Sequence, residues 1–189
     1  MQIINTGIDG MLIIEPEVFQ DARGWFVESY SETKLYNLGI KDKFIQDNHS
    51  FSYKKNTLRG IHFQAYPKAQ TKLLRCTYGK VLDVVVDIRI DSPTYLKVEK
   101  VELSRDNFRQ LYMPKGLAHA ILSLTDQSEI QYKVDEEFLP EYELGIRYND
   151  PQLNIDWETE ELILSDKDKN LPYLCSIEKK YLYRYQEKE

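Results

Sequence analysis

Cysteine is scarce in this chain. Cys76 and Cys175 are its only two in 189 residues, which makes neither a disulfide framework nor a thiolate zinc site. Glycine and proline are also few, 8 and 7, so collagen-like and low-complexity architectures are excluded. No apolar run reaches the roughly 18 residues that a membrane span needs. Met1-Gln2-Ile3-Ile4-Asn5 has no basic region followed by an apolar core, so no signal peptide is expected and the chain reads as cytoplasmic. A basic excess is missing too. The 25 Lys and Arg face 31 Asp and Glu, for a net charge of −6, and this argues against nucleic acid as the partner, because phosphate backbones select basic surfaces. A small anionic ligand held by a few arginines stays compatible with that charge. Histidine is limited to His49, His62 and His119.

What is present reads as one globular domain over 1–189. Hydrophobic residues make up 42% and charged residues 30%, and the lysine- and glutamate-rich stretch 179–189 reads as a solvated tail or terminal helix. Tyrosine dominates the aromatics, with 14 against 7 Phe and 2 Trp; its apolar ring and polar tip suit strand surfaces and ligand pockets. Val81–Arg89 alternates, with Leu82, Val84, Val86 and Ile88 on one face and Asp83, Val85, Asp87 and Arg89 on the other. Thr71–Thr77 precedes it across Tyr78-Gly79-Lys80, a hairpin pattern. Further strands are expected at Phe26–Tyr30, Ile45–Tyr53, Thr57–Gln64, Leu96–Leu103, Arg109–Met113, Ala118–Leu124 and Glu129–Asp135. Ser31 is placed to cap a surface helix over Glu32–Leu38 that ends at Gly39, and Ser165-Asp166-Lys167-Asp168 can open a second short helix. Many short strands without an alternating helix–strand pattern predict an all-β sandwich or barrel, of the cupin jelly-roll kind if a pocket lies between two sheets.

Alternation along Thr57–Gln64 puts Leu58, Gly60, His62 and Gln64 on one face, with Gly60 leaving room for a ligand. Pro114-Lys115-Gly116-Leu117-Ala118-His119 resembles the second cupin motif. Metal-binding cupins join that histidine to a His-x-His pair and a glutamate. Here the pair reads His62-Phe63-Gln64, no glutamate follows, and Gln70 stands nearby. Two histidines with amide oxygens make a poor transition-metal site, so no metal is expected.

Leu58-Arg59-Gly60-Ile61-His62-Phe63-Gln64, followed by Pro67-Lys68-Ala69-Gln70-Thr71-Lys72-Leu73, resembles the signature of dTDP-4-dehydrorhamnose 3,5-epimerases. Asp21–Ser29, Gln46-Asp47-Asn48, Val84–Arg89 with Ser92-Pro93-Thr94, Tyr132-Lys133, Gly145-Ile146-Arg147, Ile155-Asp156-Trp157 and Leu164–Asp168 match in the same order. The resemblance runs from about Gly7 to about Leu174. It implies a metal-free and cofactor-free cupin that acts on a dTDP-linked 4-keto-6-deoxy sugar. The C3 and C5 hydrogens of that sugar flank the ketone, so losing either gives an enolate. Inversion requires a base on one face, an acid on the other and a group that holds the enolate oxygen.

The resemblance implies His62 as the base, an imidazole whose ordinary pKa near 6.5 leaves it mostly neutral at pH 7. Asp168 then fixes its tautomer, Lys72 holds the enolate oxygen and Tyr132 is the acid. Asp83 is the candidate for orienting Lys72 or His119 from behind. By position, Arg59 and His119 match phosphate- or sugar-contacting residues. Arg23, Glu28, Gln46 and Asn48 match nucleoside-contacting residues, and Phe26, Glu143 and Lys167 match further substrate contacts. Phe138 replaces the family's usual base-stacking tyrosine, and Thr71 stands where glycine is more frequent. The resemblance further implies a homodimer whose N-terminal strand passes onto the partner, bringing Arg23 and Glu28 toward the neighbouring site. Competing readings are a mono-epimerase acting at C3 or C5 alone, a metal-dependent cupin, and a sugar-binding cupin without catalysis.

Overall fold

The alternation in Val81–Ile88 divides apolar from mixed faces, yet the structure buries both. In this computed structural model, which describes residues 1–185, the chain folds mainly into two antiparallel sheets packed against each other. The first runs in the order β1 (Gln2–Asn5), β2 (Leu12–Glu15), β10 (Gln110–Met113), β7 (Lys72–Tyr78), β12 (Ser128–Val134) and β5 (Gln46–Ser52). The second runs β13 (Glu143–Gly145), β6 (Leu58–Gln64), β11 (Leu117–Ser123), β8 (Lys80–Asp87) and β9 (Val98–Ser104). Leu74, Leu111, Met113 and Ile130 of the first sheet meet Val81, Val85, Leu103 and Ile121 of the second in the inter-sheet core. This is the expected jelly-roll sandwich, with its two sheets unclosed. Val84, Val86 and Ile88 point the other way, into a second core covered by Ile146, Leu153, Trp157, Leu174 and Leu182. The C-terminal third is therefore a lid over the outer face of the second sheet.

The helices sit where the caps predict. α1 (Glu32–Asn37) is capped by Ser31, whose hydroxyl accepts from Lys34 N at 3.3 Å, and it buries Leu35 against Ile14, Leu73 and Tyr112 on the outer face of the first sheet. α2 (Asp166–Lys169) is capped by Ser165, whose hydroxyl accepts from Asp168 N at 3.1 Å. Several expectations need correction. β1, β2, β13 and β3 (Val18–Asp21) are three or four residues long, too short to show a period. The strand expected over Phe26–Tyr30 forms earlier, as β4 (Gly24–Val27), and pairs with β3 in a separate two-stranded ribbon. Nor is the C-terminal stretch a solvated tail across 179–185. Leu182 is buried, Tyr66 N donates to Tyr181 O at 2.9 Å, and Ile90 exchanges backbone bonds of 2.9 Å with Tyr183 and Tyr185. Charge composition suggested solvation, but the apolar residues between the charges pack. Residues 186–189 of that stretch lie outside the described residues.

The largest departure falls on β6. His119 of β11 pairs with His62, while Ile121 pairs with Arg59, so two steps on β11 oppose three on β6. That is a bulge, and Gly60 sits within it at φ 111°. A Cβ at Gly60 would stand 2.7 Å from the His119 carbonyl oxygen. The extra residue reverses the strand's parity. Leu58 joins Ile61 and Phe63 in the outer core, and Arg59 turns to the cavity that His62 lines. The expected grouping of Leu58 and Gly60 with His62 is thus replaced by Arg59 with His62.

Gly60→Ala should lower stability by about 2 kcal/mol or more, because it combines a backbone conformation reserved for glycine with a clash against a neighbouring strand. Urea unfolding measures this, and a midpoint equal to wild type would show that the bulge tolerates a side chain.

Candidate active site

A cavity of about 510 Å³ opens between the sheets. The second sheet contributes Arg59 and His62 from β6 and His119 from β11; the first contributes Lys72 from β7 and Tyr132 from β12. His62 and Tyr132 therefore stand on opposing walls. Phe138, Glu143, Lys167 and Asp168 complete the rim.

His62 Nε2 lies 2.6 Å from Asp168 Oδ1. The other Asp168 oxygen accepts the Gly60 amide at 3.3 Å, so the bulged backbone also holds the carboxylate. Burial opposes ionisation of Asp168, but hydrogen bonds from His62, the Gly60 amide and Ser165 outweigh it and hold the carboxyl below its ordinary pKa. A carboxylate there requires a proton on Nε2. The Nδ1 lone pair of a neutral His62 is then free to take a proton.

A second chain of bonds crosses between the sheets. Lys72 Nζ lies 3.0 Å from His119 Nε2, and His119 Nδ1 lies 3.1 and 3.2 Å from the two oxygens of Asp83. Asp83 is fully buried. Burial, with the neighbouring Lys72, pushes the His119 pKa down against the pull of Asp83. His119 is thus neutral, donating from Nδ1 to Asp83 and accepting at Nε2 from the Lys72 ammonium. Burial also lowers Lys72 to about 8, opposed by the charges of Asp83 and Glu143. The ammonium sits 6.0 Å from the centroid of the Tyr132 ring. Burial, with Glu143, raises the Tyr132 phenol, so it keeps its proton at neutral pH. The arrangement offers a proton acceptor on one wall, a proton donor on the other and a positive charge beside them.

The remaining residues divide. Arg59 donates from Nε to Ser52 Oγ at 3.2 Å and from Nη2 to the Phe51 carbonyl at 2.9 Å, which holds its guanidinium at the cavity's edge. Lys167 pairs with Glu143. Gln46 does not line the cavity itself, but its Oε1 accepts the Phe138 amide at 3.0 Å. Asn48 pairs in register with Tyr132 and lines a smaller hollow of about 310 Å³ beside Arg75 and Lys133. Arg23, Phe26 and Glu28 are not brought to the cavity of this chain. Arg23 is exposed on the β3–β4 turn and held by Asp21 at 2.6 Å, Phe26 is 66% exposed, and Glu28 pairs with Lys34 of α1 at 2.9 Å. Ser50, Thr57 and the apolar wall of Ile121 and Ile130 line the cavity without having been singled out. Ser50 shares the period-two face of β5 with Asn48, a usable signal; nothing in the sequence distinguished the others. Among the described residues, no three His, Cys, Asp or Glu side chains stand together as a metal-holding group.

Comparison with known proteins gives consistent results. Residues 5–176 match the family profile described as dTDP-4-dehydrorhamnose 3,5-epimerase. The dTDP-4-dehydrorhamnose 3,5-epimerase of Escherichia coli K12 is 50% identical over 173 residues, covering 90% of this chain and 93% of its own. The crystal structure of dTDP-6-deoxy-D-glucose-3,5-epimerase from Legionella pneumophila, in complex with dTDP-4-keto-L-rhamnose, superposes with a TM-score of 0.94 at 44% identity, over 98% of this chain and 99% of that one. A 3′-monoepimerase from Streptomyces bikiniensis, in complex with dTDP-quinovose, gives 0.84 at 34% identity, over 90% and 87%.

The Asp83 charge raises the Lys72 pKa against the effect of burial, so Asp83→Asn should move the Lys72 titration below about 8. Nitrogen NMR of the lysine ammonium follows it directly. A wild-type Lys72 titrating near the ordinary lysine value of about 10.4 would contradict the buried arrangement.

Proposed function

The chain belongs to the dTDP-4-dehydrorhamnose 3,5-epimerase family, and from that premise we propose that it inverts C3 and C5 of dTDP-4-dehydro-6-deoxyglucose, through enolates, to give dTDP-4-dehydrorhamnose. The observation that carries the reading is the His62 imidazole on one sheet, paired with Asp168 of α2, across the cavity from the Tyr132 phenol on the other sheet, with the Lys72 ammonium beside that phenol.

His62 Nδ1 removes the proton at C3 or C5, and Asp168 stabilises the imidazolium that results. The electrons of the C–H bond move to the C4 oxygen, where the Lys72 ammonium balances the charge. Tyr132 then protonates the carbon from the other face and recovers its proton from solvent, while His62 releases the one it took. The sequence is repeated at the second carbon, and no electron is gained or lost overall. His119 and Asp83 hold Lys72 in place. Arg59 takes a diphosphate oxygen pair, Phe138 stacks on the base, and Gln46, Asn48, Glu143 and Lys167 contact the remaining substrate. No metal or cofactor enters this scheme.

The protein works as a homodimer in the cytoplasm. The β3–β4 ribbon supports this, since Trp25 and Phe26 are 46% and 66% exposed beside Arg23. A partner surface would cover the rings and draw Arg23, Phe26 and Glu28 toward the neighbouring cavity. A single-carbon epimerase is the second reading, favoured by the likeness to the Streptomyces bikiniensis enzyme; the higher identity of the 3,5-epimerases supports action at both carbons.

NMR of dTDP-4-dehydro-6-deoxyglucose incubated in deuterium oxide tests the proposal, with deuterium expected at C3 and C5 and both centres inverted. Exchange at one carbon alone would establish the mono-epimerase. His62→Ala should slow exchange at both carbons by about 10²–10⁴-fold, the range for losing a general base. Tyr132→Phe should lose inversion by a similar factor yet retain deuterium wash-in with the original configuration, because His62 can return a solvent-exchanged proton to its own face. Inversion by Tyr132→Phe at the wild-type rate would reassign the acid. Activity should also survive EDTA; loss that a divalent cation restores would turn the reading to a metal-dependent cupin.

A further inference from the structure

Gln64 occupies the place, two residues beyond His62, where a metal-binding cupin carries its second histidine, and the mechanism above gives it no work. The residue is buried at 6% exposure, and its carboxamide is engaged at both ends. Nε2 donates to the carbonyls of Lys68 at 2.6 Å and Glu137 at 3.0 Å, while Oε1 accepts the Leu139 amide at 3.1 Å. Two other glutamines reach the same segment. Gln46 Oε1 accepts the Phe138 amide at 3.0 Å, and Gln70 Nε2 donates to the Glu136 carbonyl at 2.8 Å. Consecutive backbone positions from Glu136 to Leu139 are each tied to a glutamine, drawn from β5, β6 and the loop before β7. The segment carries Phe138, 47% exposed at the cavity rim.

The geometry points to Gln64 as a specificity-positioning residue, which fixes the Phe138 ring at a set distance from His62 so that an aromatic base and the reacting sugar carbon are received together. This rests on the nucleotide-sugar reading given above. Gln64 and His62 share one strand and one wall, about 6.6 Å apart along β6 by strand geometry. A bond from Gln64 to the rim therefore ties the aromatic platform to the same rigid element as the base. Without those ties the segment would sample many positions, and ordering it would be charged against every binding event. The residue type is also restrictive. A primary amide offers two donors and an acceptor in one plane; a glutamate would face the two carbonyls with acceptors only, and a histidine has a single donor at most when neutral.

The test is a double-mutant cycle on binding of dTDP, read by calorimetry, combined with steady-state kinetics. Gln64→Leu keeps the volume and removes the bonds. It should weaken dTDP by about tenfold, the equivalent of one or two lost hydrogen bonds, and raise KM in parallel while kcat stays within about threefold. In a Phe138→Ala background the same substitution should have little further effect, because its action runs through the ring. An unchanged dTDP affinity, an equal loss with and without Phe138, or a fall in kcat alone would each overturn the proposal. If Gln64→Leu does not fold, Gln70→Leu carries the same cycle with a smaller shift, about threefold for its single bond, and the same outcomes decide. A wild-type protein that does not bind dTDP overturns the nucleotide reading and this proposal with it, whereas dTDP binding that Gln64→Leu leaves intact overturns this proposal alone.

Discussion

The bulge at Gly60 is the constraint from which the cavity takes its shape. A regular strand would send Arg59 to the face opposite His62, because successive side chains alternate. One unpaired residue brings the guanidinium and the imidazole to the same wall, three positions apart. The same backbone also supplies the Gly60 amide to Asp168, the carboxylate that orients His62. A single local irregularity thus aims an anion-binding group and a base, and helps to hold the base's partner. Only glycine permits it, given the φ of 111° and the approach of the His119 carbonyl.

Charge is managed by pairing across the sandwich. Buried ions are costly unless a partner compensates them, and each ion here has one. Asp168 is met by His62, and Asp83 by His119 and, through it, Lys72. The second chain spans both sheets, so the position of the ammonium depends on how the sheets pack and not on one strand alone. With its pKa near 8, lowered by burial, Lys72 is still predominantly charged at neutral pH. A cation fixed in a buried, water-poor site interacts strongly with a neighbouring negative oxygen, which suits a group that must stabilise charge as it develops.

Much of this was legible in the sequence, for identifiable reasons. The central strands declared themselves by alternation, and Ser31 and Ser165 marked the helix starts as capping residues do. His62, Lys72, Tyr132 and Asp168 could be assigned together because a family resemblance joined residues that spacing alone would never connect. Alternation failed on β6, since a bulge leaves no mark except a glycine, and glycine has many uses. It also failed to warn that the outer face of β8 is buried. A period-two pattern separates two faces; it does not say whether water or a later segment covers either. Arg23, Phe26 and Glu28 matched by position while lying apart from this chain's cavity, because a sequence match records a position in the chain without recording where the fold carries it.

The covering of the second sheet by the C-terminal third has a consequence for how the protein comes into being. Asp168 stands 106 residues from His62, and the apolar face of Val84, Val86 and Ile88 is closed by residues as late as Leu182. Contacts of such sequence separation form slowly, because the intervening chain must be ordered first. A nascent chain that has released β6 and β8 from the ribosome has strands, but a bare hydrophobic sheet and an imidazole without its carboxylate. At the usual pace of synthesis, about 5–20 residues per second, that interval lasts for seconds, during which the exposed face is open to chaperones or to aggregation. The catalytic dyad cannot form until the 106 residues that separate His62 from Asp168 have been made, so competence for proton transfer arrives well after the strand that carries the base.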